Sequence, residues 1–227
     1  MGNIWFTSDT HYGHSNIASK NCSKWTSGYR DFKDLDEMNN RIVKNINTYV
    51  KEDDILYHLG DWSFGGIDNI WNFRKQIKCK NIHLILGNHD THIYNDKELP
   101  NVKRAEVYSP ILIDGKPIGG DYCDYINAKG LFTSVQDVLT VKHGKTTFFL
   151  SHYAHRVWYG SHKGIIHLYG HSHDSLDSNY GKSMDVGIDG AKRILKEYRP
   201  FKLEEIVNIM DKREIYYPDK HNINTNI

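Results

Sequence analysis

Short apolar runs alternate with longer stretches of helical periodicity through the first ninety residues. Ile4 to Thr7 reads as a strand. Leu35, Met38, Ile42 and Ile46 recur three and four apart, behind Asp34 as N-cap and with Glu37 three residues later, which predicts a capped amphipathic helix. Ile55 to Leu59 reads as a second strand, and Gly65-Gly66 opens a second helix carrying Ile67, Ile70, Trp71, Arg74 and Ile77. Ile82 to Leu86 makes a third strand. Strand, helix, strand, helix, strand favours a parallel sheet.

The second half has a different rhythm. Val107 to Ile113, a turn at Asp114-Gly115, Val138 to Val141, a turn at His143-Gly144, and Thr147 to Leu150 read as hairpin-connected strands. Ile165 to Tyr169 and Met184 to Ile188 predict two more. Leu203, Ile206, Val207 and Met210 mark a closing helix after Pro200. From Gly119 to Ser134 the chain has no periodicity, the pattern of a long and often functional loop. A parallel half followed by an antiparallel half predicts two mixed sheets packed face to face with helices outside. A length of 227 residues suits one domain, 1–227, with about 212–227 a polar C-terminal tail.

Composition narrows the partners. The 29 Lys+Arg and 28 Asp+Glu nearly cancel, to a net charge of +1, which disfavours a dedicated polyanion binder. A nucleotide or a nucleic-acid end remains compatible with that balance. Cys22, Cys79 and Cys123 are odd in number and form no CxxC pair, so a disulfide framework is not expected and a reducing, cytoplasmic setting is. Met1 to Phe6 has no basic segment followed by a long apolar stretch, and no apolar run approaches the length of a membrane span. The 14 histidines are a high number that asks for a reason.

The reason lies where the apolar runs stop. Asp9-Thr10-His11, Gly60-Asp61, Gly87-Asn88-His89-Asp90, Ser151-His152 and Gly170-His171-Ser172-His173 mostly follow predicted strands directly. Strand ends at one sheet edge are where α/β proteins build sites. Asp9 and His11 can converge on one ion, and Asp61 has lone pairs to share between two. Asn88 adds an amide oxygen, and His152 and His171 add imidazoles to a second ion. His173, two residues past His171, falls on the same side of an extended segment. Mixed carboxylate, imidazole and amide donors suit divalent ions such as Mn²⁺, Zn²⁺ or Fe²⁺. Two such ions roughly 3.5–4 Å apart activate a water and clamp a phosphate. His89 is spare in this count and placed to protonate a leaving alkoxide, with Asp90 to orient its ring.

These five ordered motifs resemble the calcineurin-like metallophosphoesterase superfamily over roughly residues 4 to 190. The wording Thr7-Ser8-Asp9-Thr10-His11 with Gly13-His14, together with His58-Leu59-Gly60-Asp61, Trp158-Tyr159-Gly160-Ser161-His162-Lys163-Gly164 and Met184-Asp185-Val186-Gly187-Ile188-Asp189, is similar to small bacterial and phage members. The resemblance implies an α/β (α+β mixed) fold: a four-layer αββα sandwich of two mixed β-sheets flanked by helices, with a dimetal site at the sheet rim. It implies that Asp9, His11, Asp61 and His173 bind one ion. Asp61, Asn88, His152 and His171 would bind the other, with His89 as proton donor. Where many members carry a second acidic residue after Gly-Asp, this chain has Trp62-Ser63-Phe64, which implies a pocket of altered polarity.

The resulting expectation is a dimetal phosphoesterase, first a phosphodiesterase acting on a nucleotide or other small phosphodiester, with Mn²⁺ the leading metal and Fe, Zn, Ni or Mg as alternatives. A phosphomonoesterase or protein phosphatase is the rival within enzymes, and a metal-stabilised binding module is the rival outside them. His14, Arg156 and Lys163 are candidate phosphate contacts, and Trp158, Tyr159, Tyr122 and Tyr125 are candidate stacking partners for a base. His58 and His83, inside apolar strands, read as core or supporting residues.

Overall fold

The structure, a computed structural model, describes residues 2–103, 112–113, 116–117, 125–177 and 180–217. The strands are β1 (Ile4–Thr7), β2 (Ile55–His58), β3 (Asn81–Ile85), β4 (Glu98–Lys103), β5 (Leu112–Ile113), β6 (Lys116–Pro117), β7 (Tyr125–Asn127), β8 (Ser134–Gln136), β9 (Val138–His143), β10 (Thr146–Ser151), β11 (Ile166–Tyr169), β12 (Ser183–Asp185) and β13 (Phe201–Lys202). The helices are α1 (Ser15–Ala18), α2 (Leu35–Tyr49), α3 (Ile67–Arg74), α4 (Thr91–Tyr94), α5 (Ile188–Leu195) and α6 (Leu203–Met210).

Two sheets dominate. The first has the order β13-β1-β2-β3-β8 and the second β12-β11-β10-β9. Within the first, β1, β2, β3 and β8 are parallel and β13 runs against β1. In the second, β9 and β10 form the expected hairpin, but β10, β11 and β12 are parallel to one another. The second half is therefore not antiparallel throughout. The long excursions after β10 and β11 act as crossovers, which sequence periodicity alone cannot distinguish from hairpin loops. The consequence is functional: the C-terminal ends of β10 and β11 share one edge.

Alternation along the strands builds two cores. Trp5, Leu56, Ile82 and Leu84 face outward against Met38, Ile42 and Ile46 of α2 and Ile70 and Phe73 of α3. Phe6, Tyr57 and Ile85 face the other way, against Phe148 and Leu150 of β10, Leu168 of β11 and Met184 of β12. Ala191 of α5 and Ile206 and Met210 of α6 join this second core. Phe6 stacks on Tyr57 at 5.3 Å and meets Phe148 at 5.0 Å. Such ring pairs add roughly 0.5–1.5 kcal/mol each beyond burial. The expected pair of stacked mixed sheets with flanking helices is the observed architecture.

Asp34 caps α2 by accepting the Glu37 N–H at 2.8 Å, as its spacing predicted, while the Glu37 carboxylate reaches one residue further back, to the Lys33 N–H at 2.8 Å. α3 stops at Arg74, although Ile77 beyond it is still buried. Met184 to Ile188 is not one strand: the strand ends at Asp185 and Ile188 begins α5. Part of the aperiodic stretch is ordered structure, since Tyr125–Asn127 pairs with β4 and Ile126, Ala128, Leu131 and Phe132 are core residues. Residues 119 to 124, most of Val107 to Ile113, the Asp114-Gly115 turn and residues 218 to 227 lie outside the described residues. No helix among the described residues is long and apolar enough to cross a membrane.

Candidate metal centre

The five motifs meet at the C-terminal edge of both sheets, just past β1, β2, β3, β10 and β11. Close backbone packing holds the loops together. The Asp9 N–H donates to Gly60 O at 3.0 Å and the His11 N–H to Asp61 O at 3.0 Å. The Asp9 carboxylate accepts the His171 N–H at 3.0 Å, which ties the two sheets together at the site. Glycine precedes three of the ligands for a steric reason. A Cβ on Gly87 would collide with Asp61 and the His152 ring, and one on Gly170 with Ser8 and Asp9.

Five of the seven candidate ligands have left-handed backbone: Asp9 (φ 54°), His11 (48°), Asp61 (55°), His171 (65°) and His173 (47°). Such conformations cost on the order of 1–3 kcal/mol each and persist where the surroundings impose them, commonly at functional sites. They also correct the expected extended geometry of Gly-His-x-His. His171 and His173 reach different partners because the segment coils through two left-handed residues, not because it alternates as a strand.

The donors fall into two groups, Asp9 with His11 and His173, and Asp61 with His152 and His171. Asp61 connects them, its Oδ2 lying 3.4 Å from His11 Nε2 and 3.6 Å from His152 Nε2. Asn88 Oδ1 faces His152 Nε2 at 3.0 Å and His171 Nδ1 at 2.9 Å. Asp9, Asp61, His11 and His152 are buried, and burial pushes the Asp9 carboxyl well above its ordinary range.

Proton bookkeeping tests whether a cation fits. His152 Nδ1 lies 2.7 Å from Leu59 O, an acceptor, so that nitrogen carries the hydrogen. Burial lowers the His152 pKa, the Asp61 charge offsetting part of it, so the ring is neutral and Nε2 is a bare lone pair. That lone pair faces the Asn88 oxygen, another acceptor. Two acceptors at 3.0 Å repel unless a cation lies between them. The His173 ring shares the geometry, with Nδ1–H donating to Asp189 Oδ2 at 2.8 Å and Nε2 turned toward His11 Nε2 at 3.2 Å. Here burial is outweighed by Asp189 and Asp9, which raise the pKa, so without an ion this ring holds its proton more readily than a free imidazole. The donor set fits divalent metal.

Asp189 and Arg30 support the site and were not anticipated. Arg30, buried, pairs with Asp189 through Nε and one terminal nitrogen at 2.8 Å each, and donates to Asp9 O at 2.6 Å and Thr10 O at 3.2 Å. Burial alone would raise the Asp189 pKa, but the Arg30 guanidinium and the His173 ring hold it far below the carboxylate range. Asp189 closes the Met184-Asp185-Val186-Gly187-Ile188-Asp189 motif, which is the signal that could have found it. Arg30 carries no local signature.

Other anticipated residues divide. The His89 side chain is exposed, and the His89 backbone N–H donates to Asp61 Oδ1 at 2.9 Å. Asp90 does not orient that ring: its carboxylate accepts the backbone N–H groups of Asp61 (2.8 Å), Trp62 (3.0 Å) and Gly87 (2.9 Å). Burial, partly offset by those amides, raises it to about 7. Its position at the end of the Gly87 loop lets it cross-link two ligand loops instead. His14 is buried beside His89, with ring centroids 6.2 Å apart. Arg156 and Lys163 are exposed between β10 and β11, and among the described residues no ion pair ties either to the cluster. Trp158 is a core residue, donating to Ile165 O at 2.7 Å and packing on His167, while Tyr159 is exposed. Tyr122 lies outside the described residues. His58 Nε2 pairs with the Thr10 hydroxyl at 2.8 Å and His83 Nδ1 with Ser134 at 2.8 Å, both in supporting roles.

Two stacked mixed sheets with a double donor cluster at their shared edge are the frame of a metal-dependent hydrolase, and the family match makes the class that of phosphoric ester hydrolases. The chain belongs to the calcineurin-like phosphoesterase family, whose profile matches residues 2–203. It is 26% identical over 207 residues to the gene 66 protein of Mycobacterium phage D29, covering 83% of this chain and 89% of that protein. It is 37% identical over 92 residues to the uncharacterised protein MJ1445 of Methanocaldococcus jannaschii, a match spanning 40% of this chain and 48% of that one. The protein of unknown function AQ665 from Aquifex aeolicus shares the fold, with a TM-score of 0.55 at 17% identity, covering 92% of this chain and all of that one.

Proposed function

We propose that this chain is a dimetal phosphodiesterase acting on a nucleotide or other small phosphodiester. The observation that carries the reading is Asp61, whose one carboxylate oxygen stands within 3.6 Å of an imidazole nitrogen from each donor group. In this reading Asp9, His11, Asp61 and His173 hold one ion, and Asp61, Asn88, His152 and His171 the other. When bound, the two ions supply an activated water and charge compensation for the phosphate oxygens. Mn²⁺ is the leading candidate for these mixed carboxylate, amide and imidazole donors, with Fe, Zn, Ni and Mg as alternatives.

The protein's own groups do the rest. His89 is anchored through its backbone N–H to Asp61, which holds an exposed imidazole beside the donors, where it protonates the departing alkoxide. Asp90 fixes the ligand loops through three amides. A singly charged diester is favoured over a monoester dianion because the buried side-chain cation among the described residues, Arg30, is already committed to Asp189 and two carbonyls.

The test compares bis-p-nitrophenyl phosphate with p-nitrophenyl phosphate, using metal-stripped protein resupplied with Mn²⁺. Diester turnover that disappears on chelation is expected. A preference for the monoester would move the assignment to a phosphatase, and no turnover of either ester with any divalent ion would leave a metal-stabilised binding module.

A further inference from the structure

A cleft of about 180 Å³ opens beside His89, where the chain after β2 turns into α3 and meets the start of α4. Phe64, Gly65 and Gly66 wall it on one side and Thr91 and His92 on another, and Asn88 and His89 belong to it as well as to the donor cluster. Pockets for drug-sized ligands run roughly 300–1,000 Å³, so this one has room for a ring system rather than a peptide or an oligonucleotide.

Phe64 gives the cleft its character. One face of its ring stacks on buried His14 at 3.9 Å and 17°, and it meets His89 edge-on at 5.2 Å. The backbone beneath is fixed, since Phe64 N–H donates to Tyr12 O at 2.8 Å and Phe64 O accepts from Asn69 Nδ2 at 2.7 Å. The side chain is nonetheless 37% exposed. Gly66 has open space where a side chain would stand. The one carboxylate in the lining, Asp90, is buried and turned onto three backbone amides. The opening is therefore part aromatic and without free negative charge, with part of the Phe64 ring available for stacking.

We propose that this cleft takes the leaving-group side of the substrate, a flat uncharged ring such as an aryl group or a nucleoside base, and that Phe64 determines that specificity. The inference rests on the reading of His89 as proton donor, because the group that leaves departs on the side of the acid. Stacking a base on an aromatic side chain accounts for about a tenfold effect or more per ring.

Two substrates releasing the same group separate the possibilities. With Mn²⁺-loaded protein, Phe64→Ala should raise KM about tenfold for both bis-p-nitrophenyl phosphate and methyl p-nitrophenyl phosphate, while Phe64→Trp stays near wild type. Metal content measured alongside must stay equal. Phe64→Leu carries the same expectation as Phe64→Ala if the alanine variant does not fold. A rise confined to the bis ester would put the retained group in the cleft, and no rise would remove Phe64 from recognition; either overturns the proposal. Saturation-transfer NMR on metal-stripped protein gives a readout free of catalysis. It should show p-nitrophenol contact in the wild type, lost in Phe64→Ala, with cyclohexanol silent in both. Equal saturation of wild type and variant would overturn the slot. A wild type that hydrolyses neither ester yet saturates p-nitrophenol would instead refute the catalytic reading, and with it the leaving-group assignment, while the ring-binding slot stood.

Discussion

Asp189 holds the Nδ1–H of His173 at 2.8 Å while both of its oxygens are gripped by Arg30. One carboxylate thus fixes the tautomer of a candidate ligand and balances a buried guanidinium. Asp189→Asn keeps the shape and removes the charge. Metal affinity should fall 10–100-fold, as for other lost partners of ligating histidines. Stability should drop by about 3–5 kcal/mol because Arg30 stays buried without its counter-charge. Calorimetric titration of stripped protein with Mn²⁺, paired with a urea midpoint, reads both. Unchanged affinity would show that the His173 orientation is set elsewhere.

Gly87 is predicted to be intolerant of any side chain. A single methyl there would press on Asp61, which connects the donor groups, and on the His152 ring of the second group. Gly87→Ala should cost about 1–3 kcal/mol in overpacking and lower bound metal below two ions per chain. Mass spectrometry of the native protein or elemental analysis decides it. Two equivalents of metal in Gly87→Ala would mean that the loop relaxes freely.

His89→Ala tests the division of labour in the cluster. The ring makes no contribution to the donor count, so both ions should be retained. Turnover should slow by about 10²–10⁴ if the imidazole protonates the leaving group. The loss should shrink for p-nitrophenolate, which leaves without help, and grow for an alkyl leaving group. Equal losses on both would remove His89 from the acid role.

Much of this was legible in the chain. Asp34 and the 3.6-residue spacing fixed α2 nearly to the residue, because capping and amphipathicity are local. The candidate donors were readable too, because most of their motifs follow an apolar run directly. What escaped was non-local or conformational. The parallel placement of β10 beside β11 depends on crossovers that look like loops in sequence. The left-handed backbone at Asp9, His11, Asp61, His171 and His173 leaves no pattern, since those residues were noticed for their side chains. Arg30 reaches Asp189 across 159 positions, and no periodicity connects them. Asp90 illustrates the same limit, because its neighbour in sequence is not its partner in space.

Away from the metal cluster, His167 gives the fold an acid-sensitive point. It lies fully buried within β11, donating from Nδ1 to Phe149 O at 3.1 Å and accepting the His155 N–H at Nε2, 2.9 Å away. Burial lowers its pKa from 6.5 to about 3 despite the favourable carbonyl contact. Below pH 6.5 the unfolded chain takes up a proton here that the folded chain refuses until about pH 3, so stability rises with pH across that window. The stabilisation is complete above pH 6.5 and declines as pH falls toward 3. At 1.36 kcal/mol per unit, about 2–3 kcal/mol should be gone by pH 4.5. His167→Gln can still meet the His155 amide and has no proton to gain. It should start less stable at neutral pH yet lose less on acidification, its pH slope shallower than wild type by about one proton. Urea midpoints of the two proteins at pH 7 and 4.5, both stripped of metal so that the other histidines titrate alike, measure this difference directly. Parallel slopes would mean that the ring is already protonated in the native state, and the tautomer assigned from Phe149 would fall with it.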